Sequence, residues 1–170
     1  MTKGKWGTLV NALLGFKRDY DCNLPLSRAL PQLVASWPER YGDIGLKDLC
    51  DRMFESMAEL QTTTLMGQAF SLLPEPRLTP TAAYEQLVKN NIEQLTLEDM
   101  SDRTVATGVV PYPPGIPLLM PGENAGPGNG PVLGYLKALE AFDRRFPGFT
   151  HDTHGVEVED GFYRIACLKN

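Results

Sequence analysis

Residue types that bind metals or cross-link small domains are scarce in this sequence. It contains three cysteines and two histidines among 170 residues. Cys22, Cys50 and Cys167 are odd in number and far apart, which argues against a disulfide framework and against a zinc ribbon. Unpaired cysteines are typical of a reducing compartment, so we expect a cytoplasmic protein.

Long apolar runs and clustered positive charge are also missing. No apolar stretch approaches the roughly 20 residues that a membrane-spanning helix needs, and the residues after Met1 lack the apolar core of a signal peptide. The net charge is −5 at pH 7, and the basic residues are scattered, which gives no electrostatic support for nucleic-acid binding. We therefore expect neither a membrane nor a nucleic acid among the partners.

Signature motifs of two large enzyme classes do not occur either. The serines lack the Gly-x-Ser-x-Gly context of many hydrolases. The glycine-rich stretch 126–130 lacks the strand-to-helix setting of a phosphate-binding or dinucleotide-binding loop. The sequence therefore supports neither a serine hydrolase nor a nucleotide-binding enzyme.

Apolar residues at helical spacing dominate the first half of the chain. The predicted helices are 6–18, 25–36, 46–60, a segment that ends near 73, and one that starts at Pro80. Thr79 precedes that proline and has the side chain of a good N-cap, while proline suits the first helical position. The stripe of leucines and methionines between 46 and 60 is interpreted as a core face.

Strand and hairpin signals follow in the second half. Alternation predicts a strand over 92–97, and the β-branched run 105–110 predicts a buried strand. A long helix is predicted over 131–146. Asp160-Gly161 is a two-residue hairpin signal that would pair Val158 with Tyr163, Val156 with Ile165 and Glu157 with Arg164. The order of these elements predicts an α+β fold, with N-terminal helices followed by a small mixed sheet with one long helix and a C-terminal β-hairpin.

The segment 111–123 reads Pro-Tyr-Pro-Pro-Gly-Ile-Pro-Leu-Leu-Met-Pro-Gly-Glu and has four prolines in its first seven residues. Each proline fixes its φ near −65° and biases the residue before it toward extended geometry. We expect a stiff loop, called the proline loop below, that is neither regular helix nor central strand. The stretch 126–130 beyond it should form an exposed, mobile tip.

Both histidines lie in the segment His151-Asp152-Thr153-His154. One interpretation is a metal site or an acid–base pair, but no third ligand stands at a compatible spacing. We favour a polar loop in which His154-Gly155 makes the entry turn into the next strand. Two residues of the proline loop have similar alternatives. Tyr112 is either a packing residue or a hydrogen-bond donor, and Glu123 is either a turn residue or a carboxylate that faces a cationic ligand.

Several of these segments together resemble a known family. The proline loop, Pro147-Gly148-Phe149 and His154-Gly155 are similar to the C-terminal domain of the large bacterial ornithine/lysine/arginine decarboxylases. The resemblance continues upstream through Gly4-Lys5-Trp6-Gly7-Thr8-Leu9 and Phe16-Lys17-Arg18-Asp19-Tyr20-Asp21, so it covers nearly the whole chain. Lys5 to Leu9 and Ala106 to Val110 look most like the arginine-specific branch.

The resemblance implies a lyase of amino acid metabolism that uses pyridoxal phosphate (PLP). Its arginine branch would convert arginine to agmatine and carbon dioxide. In this family the lysine that holds the cofactor follows a histidine, in a Ser-x-His-Lys pattern, and no His-Lys dipeptide occurs here. The resemblance therefore places the catalytic centre upstream, and we assign no catalytic, cofactor-binding or metal-binding residue within this chain.

The resemblance also implies a division of the chain and a role for it. Residues 1–45 would be the tail of the PLP-binding core with its connecting helices, and residues 46–170 the C-terminal domain. The domain would pack on the core, join an oligomer and shape the entrance for a cationic amino acid, with Tyr112, Glu123 and His154 as candidates there. The alternatives are a standalone interaction or regulatory module from a truncated gene, and lysine or ornithine as the substrate.

Overall fold

A computed structural model describes residues 3–169 of the chain. The helices are α1 (Lys3–Asp21), α2 (Leu26–Ala29), α3 (Pro31–Ser36), α4 (Pro38–Tyr41), α5 (Leu46–Glu59), α6 (Thr62–Phe70), α7 (Pro80–Val88) and α8 (Pro131–Arg145). The strands are β1 (Ile92–Thr96), β2 (Val110–Tyr112), β3 (Asp152–His154), β4 (Glu157–Glu159) and β5 (Phe162–Leu168). Contacts divide the chain into a first unit that ends at Ser56 and a second unit that starts at Met57.

The first unit is helical, and prolines set its helix boundaries. The predicted helix 25–36 is in fact two short helices, because Pro31 lacks an amide hydrogen and begins a new helix at its own position. Pro38 begins the next helix in the same way. Asn23 closes the turn after α1 at a φ of 48°. Its side-chain oxygen accepts the Lys47 amide at 3.0 Å, and its amide group donates to Asp48 at 2.9 Å. That hydrogen bond lowers the pKa of the Asp48 carboxyl.

The second unit encloses its core between α8 and the strands. Leu133, Leu136 and Leu139 of α8 are at most 1% exposed, and Ile165 of β5 is fully buried among them. Helix α6 packs against α8 where Gly134 leaves room for Leu65, whose Cδ2 would lie 3.2 Å from a Cβ at that glycine. The predicted long helix and its apolar face are thus confirmed.

Two small antiparallel sheets complete the second unit. One has the strand order β1-β5-β4, and the other pairs β2 with β3. The α+β class, with N-terminal helices, one long helix and a C-terminal hairpin, is confirmed. One mixed sheet was expected, but the structure has two sheets, and both are antiparallel.

The C-terminal hairpin has the predicted register at its tip. Val158 lies opposite Tyr163, and Glu157 lies opposite Arg164. Two details differ from the prediction. Val156 lies before β4 and outside its ladder, and Val158 is 65% exposed, because β4 is an edge strand. Arg164 forms its ion pair with Glu159 and not with Glu157.

The predicted strand over 105–110 is wrong, although Val105 and Val109 are fully buried. Val105 bridges to Cys167, whereas Val109 bridges to Leu119. The partner therefore changes along this segment, and no single ladder persists long enough to make a strand. The regular strand begins at Val110 and runs into the proline loop, where it lies at the edge of a two-stranded sheet.

The expectation of an exposed, mobile tip is wrong. The stretch 126–130 is tied down, because the Gly128 amide donates to Ser101 Oγ at 3.0 Å and the Gly126 amide donates to Asn124 Oδ1 at 2.7 Å. Within the proline loop, Leu118 and Leu119 enter the core of their own unit. A core domain elsewhere is therefore not needed to cover them.

The hairpin turn gives a direct test of the register. Asp160 and Gly161 have φ values of 53° and 80°, as the type I′ turn requires. We expect Gly161→Val to cost on the order of 1 kcal/mol or more, since a β-branched residue is strained at positive φ. Thermal unfolding measures the loss. Gly161→Asn is the matched control, because asparagine tolerates this region, and equal melting temperatures for the two variants would contradict the turn.

Candidate functional site

The structure brings together two of the three predicted entrance residues. Tyr112 ends β2 and His154 ends β3, and these antiparallel strands place Val110 opposite His154. The rings of Tyr112 and His154 lie 4.9 Å apart between centroids at an angle of 41°. Both side chains are exposed, at 44% and 61%. An aromatic ring and an imidazole thus form one accessible surface, called the Tyr112–His154 pair below.

The proline loop holds the Tyr112 ring from within its own turn. The Gly115 amide donates to the Pro111 carbonyl at 2.8 Å, which folds the loop back over the tyrosine. A Cβ at Gly115 would lie 2.7 Å from the Tyr112 ring, and its φ is +76°. Both facts require glycine at this position. The proline loop therefore fixes the position of an exposed aromatic ring.

The side chain of the third candidate, Glu123, accepts a hydrogen bond within the turn that Glu123 itself closes. Its Oε2 accepts the Met120 amide at 2.7 Å, and its own amide donates to the Met120 carbonyl at 3.1 Å. It also bridges to Pro76 on the segment that precedes α7. This geometry fits the interpretation of Glu123 as a turn residue. Its role at a substrate entrance stays a prediction.

The segment 151–154 is a strand rather than the polar loop that the sequence suggested. Residues 152–154 form β3, and the turn follows at Gly155, whose φ is +81°. A Cβ at Gly155 would lie 1.9 Å from the Gly108 carbonyl oxygen. The close approach of these two backbones explains why glycine follows His154.

Sequence reasoning missed a buried polar cluster beside β3, formed by Asp143, His151 and Tyr163 and called the Asp143 cluster below. Asp143 lies on α8 and is 8% exposed. Its Oδ1 accepts the His151 amide at 2.9 Å and lies 2.6 Å from His151 Nδ1. Its Oδ2 accepts the Tyr163 hydroxyl. The sequence does contain a signal for this cluster. Asp143 lies four positions after Leu139, so it falls on the apolar face of the predicted helix, where a carboxylate needs hydrogen-bond partners.

The environment of Tyr163 keeps it a hydrogen-bond donor. Burial raises the pKa of its hydroxyl, and the hydrogen bond to Asp143 raises it further. Its backbone amide donates to Glu140 Oε2 at 2.6 Å. Since Glu140 and Asp143 are one turn apart on α8, a single helix face binds the start of β5 and the approach to β3.

A separate cleft of about 260 Å³ lies at the start of α8. Its lining includes Leu72, Leu73, Arg77, Asp102 and Asn124. The Asn124 side chain is fully engaged, since it donates to the Asp102 carbonyl at 3.0 Å and accepts the Gly126 amide. None of the predicted entrance residues lines this cleft.

The lysines do not fit a PLP site. A Schiff-base lysine needs a desolvated pocket and an acidic partner for the pyridine nitrogen. From Lys5 to Lys169, every lysine is exposed except Lys137, which lies on α8 and binds Glu98 at 2.8 Å. No group of His, Cys, Asp and Glu suited to a metal ion occurs in the part of the chain that the structure describes. Across residues 3–169, no helix has both the length and the apolar character needed to cross a bilayer.

Comparisons with known proteins agree on one family. The family model described as "Orn/Lys/Arg decarboxylase, C-terminal domain" matches residues 63–169. The biodegradative arginine decarboxylase of Escherichia coli K12 is 46% identical over 169 residues, which is 99% of this chain and 22% of that protein. The lysine decarboxylase LdcA of Pseudomonas aeruginosa is 42% identical over 99% of this chain and 23% of its own length.

The fold comparison gives the same result. The structure of the E. coli constitutive lysine decarboxylase superposes with a TM-score of 0.91 at 36% identity, and the match covers 99% of this chain and 24% of that one. The chain thus spans less than a quarter of the length of the relatives that it matches.

Proposed function

Because the chain belongs to the ornithine/lysine/arginine decarboxylase family and carries its C-terminal domain, we propose that it is the non-catalytic end of a larger PLP-dependent decarboxylase. The observation that carries the proposal is the match of 99% of the chain to less than a quarter of each relative. The lysines from Lys5 to Lys169 support it, since all are exposed except Lys137, which binds Glu98, and they leave the cofactor to another part of the protein. When bound there, PLP supplies the electron sink for loss of the carboxylate.

Arginine is the substrate that we propose for the whole protein, with agmatine and carbon dioxide as products. The segments Lys5 to Leu9 and Ala106 to Val110 support this choice, as does the arginine decarboxylase among the relatives. Lysine and ornithine are the alternatives, and the lysine enzymes among the relatives make lysine the stronger of the two. Carbon dioxide release from each carboxyl-labelled amino acid decides among the three.

We propose that the Tyr112–His154 pair contributes to the substrate entrance. A guanidinium or ammonium group is attracted to the face of an exposed aromatic ring, which contributes about 0.5–1 kcal/mol at such sites. The excess of acidic residues, 21 against 16 basic ones, also favours the approach of a cation. Glu123 would add a carboxylate near the end of the proline loop.

The partners that we propose are the PLP-binding core and further subunits of an oligomer in the cytoplasm. Residues 1–45 would belong to the core region and residues 46–170 to the C-terminal domain. The support is an apolar face on α1 that its own unit leaves uncovered, with side chains 45–60% exposed at Trp6, Leu9, Val10, Leu13, Leu14 and Phe16. Ile116 and Met120 of the proline loop are also exposed, at 54% and 44%. A standalone interaction module would need a different partner for the same face.

The isolated chain should neither form an internal aldimine with PLP nor release carbon dioxide from arginine. The physical reason is that every lysine from Lys5 to Lys169 except Lys137 is exposed, so a Schiff base on these side chains would lie open to water. Absorbance at about 420 nm, measured after addition of PLP and again after borohydride, checks the expectation. A band that borohydride removes, together with a stable lysine adduct in the mass spectrum, would contradict it.

A further inference from the structure

The strands that carry the Tyr112–His154 pair form a sheet of their own. Strands β2 and β3 pair only with each other in the described residues, apart from the sheet β1-β5-β4. At its far end β3 is followed by Gly155, whose backbone closely approaches the Gly108 carbonyl. At its near end it begins directly after His151. Strand β2 is anchored through Val109, which is fully buried and bridges to Leu119, so the position of His151 sets where β3 enters this sheet.

Asp143 and its neighbour Phe142 fix His151 through three contacts. The carboxylate holds both the backbone amide and the ring nitrogen of this residue, at 2.9 Å and 2.6 Å. Phe142, the neighbour of Asp143 on α8, packs edge-on against the imidazole with centroids 5.3 Å apart.

Both oxygens of the carboxylate are engaged in hydrogen bonds. Its second oxygen accepts the Tyr163 hydroxyl, and Tyr163 is 1% exposed within the core. A buried carboxylate with both oxygens hydrogen-bonded cannot turn without leaving a donor unsatisfied. The cluster thus links the core strand β5, the helix α8 and the entry of β3 in one rigid arrangement.

We propose that Asp143 is a positioning residue, which acts through His151 to set β3 and thereby holds His154 in contact with Tyr112. The consequence for a substrate rests on the function proposed above, whereas the placement of the pair does not. Asp143 and His151 need not touch substrate for this role. A side chain three residues from His151 on a short paired strand has little freedom to move independently of it.

The two histidines make the placement measurable by NMR on the full chain. His151→Gln leaves His154 as the sole histidine, and its ring protons then report the ring current of Tyr112. Tyr112→Leu calibrates the shift in the absence of that ring. His151→Asn is the matched control, because its amide nitrogen falls near the position of Nδ1 and can still donate to Asp143. The amide of glutamine is one carbon further out and cannot.

We expect the His154 resonances to keep their native shift in His151→Asn and to move toward the Tyr112→Leu value in His151→Gln. A folded Asp143→Ala chain should show the same movement of the His154 resonances toward the Tyr112→Leu value. His151→Gln keeps the backbone amide bond to Asp143 and removes the ring contact, so it should move the shift part of the way and tests the proposal even where Asp143→Ala does not fold. An unchanged His154 shift in a folded His151→Gln chain overturns the proposal.

Steady-state kinetics of the complete decarboxylase separate the placement of His154 from the effect of the Tyr112–His154 pair on substrate entry. His151→Gln should raise KM for the cationic substrate about two- to fivefold, the worth of one exposed cation–π contact, with kcat unchanged. His151→Asn should restore KM. If the His154 shift moves to the Tyr112→Leu value while KM stays unchanged, the positioning role is supported. The proposal that the Tyr112–His154 pair takes part in substrate entry is then overturned.

Discussion

The purified chain should self-associate at moderate concentration, with a molar mass above that of a monomer in light scattering. The reason is the apolar face of α1, on which six large side chains from Trp6 to Phe16 are 45–60% exposed. A monomeric protein seldom exposes an apolar patch beyond about 300–600 Å². In the whole protein we expect this face to be covered. Without its partner, association between copies is the available way to remove it from water.

Substitutions on α1 should abolish this association. Leu9→Glu combined with Leu13→Glu places two charges in the apolar face and should yield a monomer. Asn11→Glu is the matched control, because it adds a charge to the opposite face of the same helix and should leave the association intact. Limited proteolysis adds a second readout, with cuts expected before residue 22. A monomeric wild-type chain that resists cleavage through its first 20 residues would favour an autonomous module instead.

Asp143→Ala should destabilise the second unit by about 3 kcal/mol. The carboxylate satisfies three donors, namely the His151 amide, the His151 ring nitrogen and the Tyr163 hydroxyl. Each hydrogen bond is worth about 1 kcal/mol net, and a buried donor that loses its acceptor costs at least as much. Asp143→Asn should cost less, because its amide can accept from His151 and donate to the tyrosine oxygen.

Urea unfolding measures this loss with an internal control. Both tryptophans, Trp6 and Trp37, lie in the first unit, so their fluorescence follows that unit. Four of the six tyrosines, Tyr84, Tyr112, Tyr135 and Tyr163, lie in the second unit, so the tyrosine contribution to near-ultraviolet circular dichroism is weighted toward that unit. We expect the tyrosine transition to move to lower urea and the tryptophan transition to stay. A loss below about 1 kcal/mol would mean that the three hydrogen bonds contribute little.

Elements with strong local signals were predictable from the sequence. Thr79 accepts the Ala82 amide at 3.2 Å as the N-cap of α7. Pro131 begins α8, and Asp160-Gly161 makes its hairpin turn at positive φ. In each case the residues that define the element are adjacent in the chain, so their own backbone preferences decide the outcome.

Features that depend on distant partners were not predictable in this way. The run 105–110 has β-branched residues like a strand, but its partners alternate between β5 and the proline loop. Tyr112 and His154 were each proposed as candidates, yet their contact depends on the pairing of β2 with β3. Asp143 resembles a surface carboxylate until the fold buries it against His151. Pairing register and burial of a single polar group depend on the tertiary structure, and periodicity does not encode them.

This chain carries the C-terminal domain of a basic amino acid decarboxylase, and we propose that it serves as that domain in a whole enzyme. A chimera tests it most directly, with residues 1–170 in place of the matching C-terminal part of the E. coli biodegradative arginine decarboxylase, which is 46% identical. We expect the chimera to release carbon dioxide from carboxyl-labelled arginine, and neither the truncated enzyme nor the isolated chain to do so. A chimera that folds and binds PLP but releases no carbon dioxide from arginine, lysine or ornithine would contradict the account.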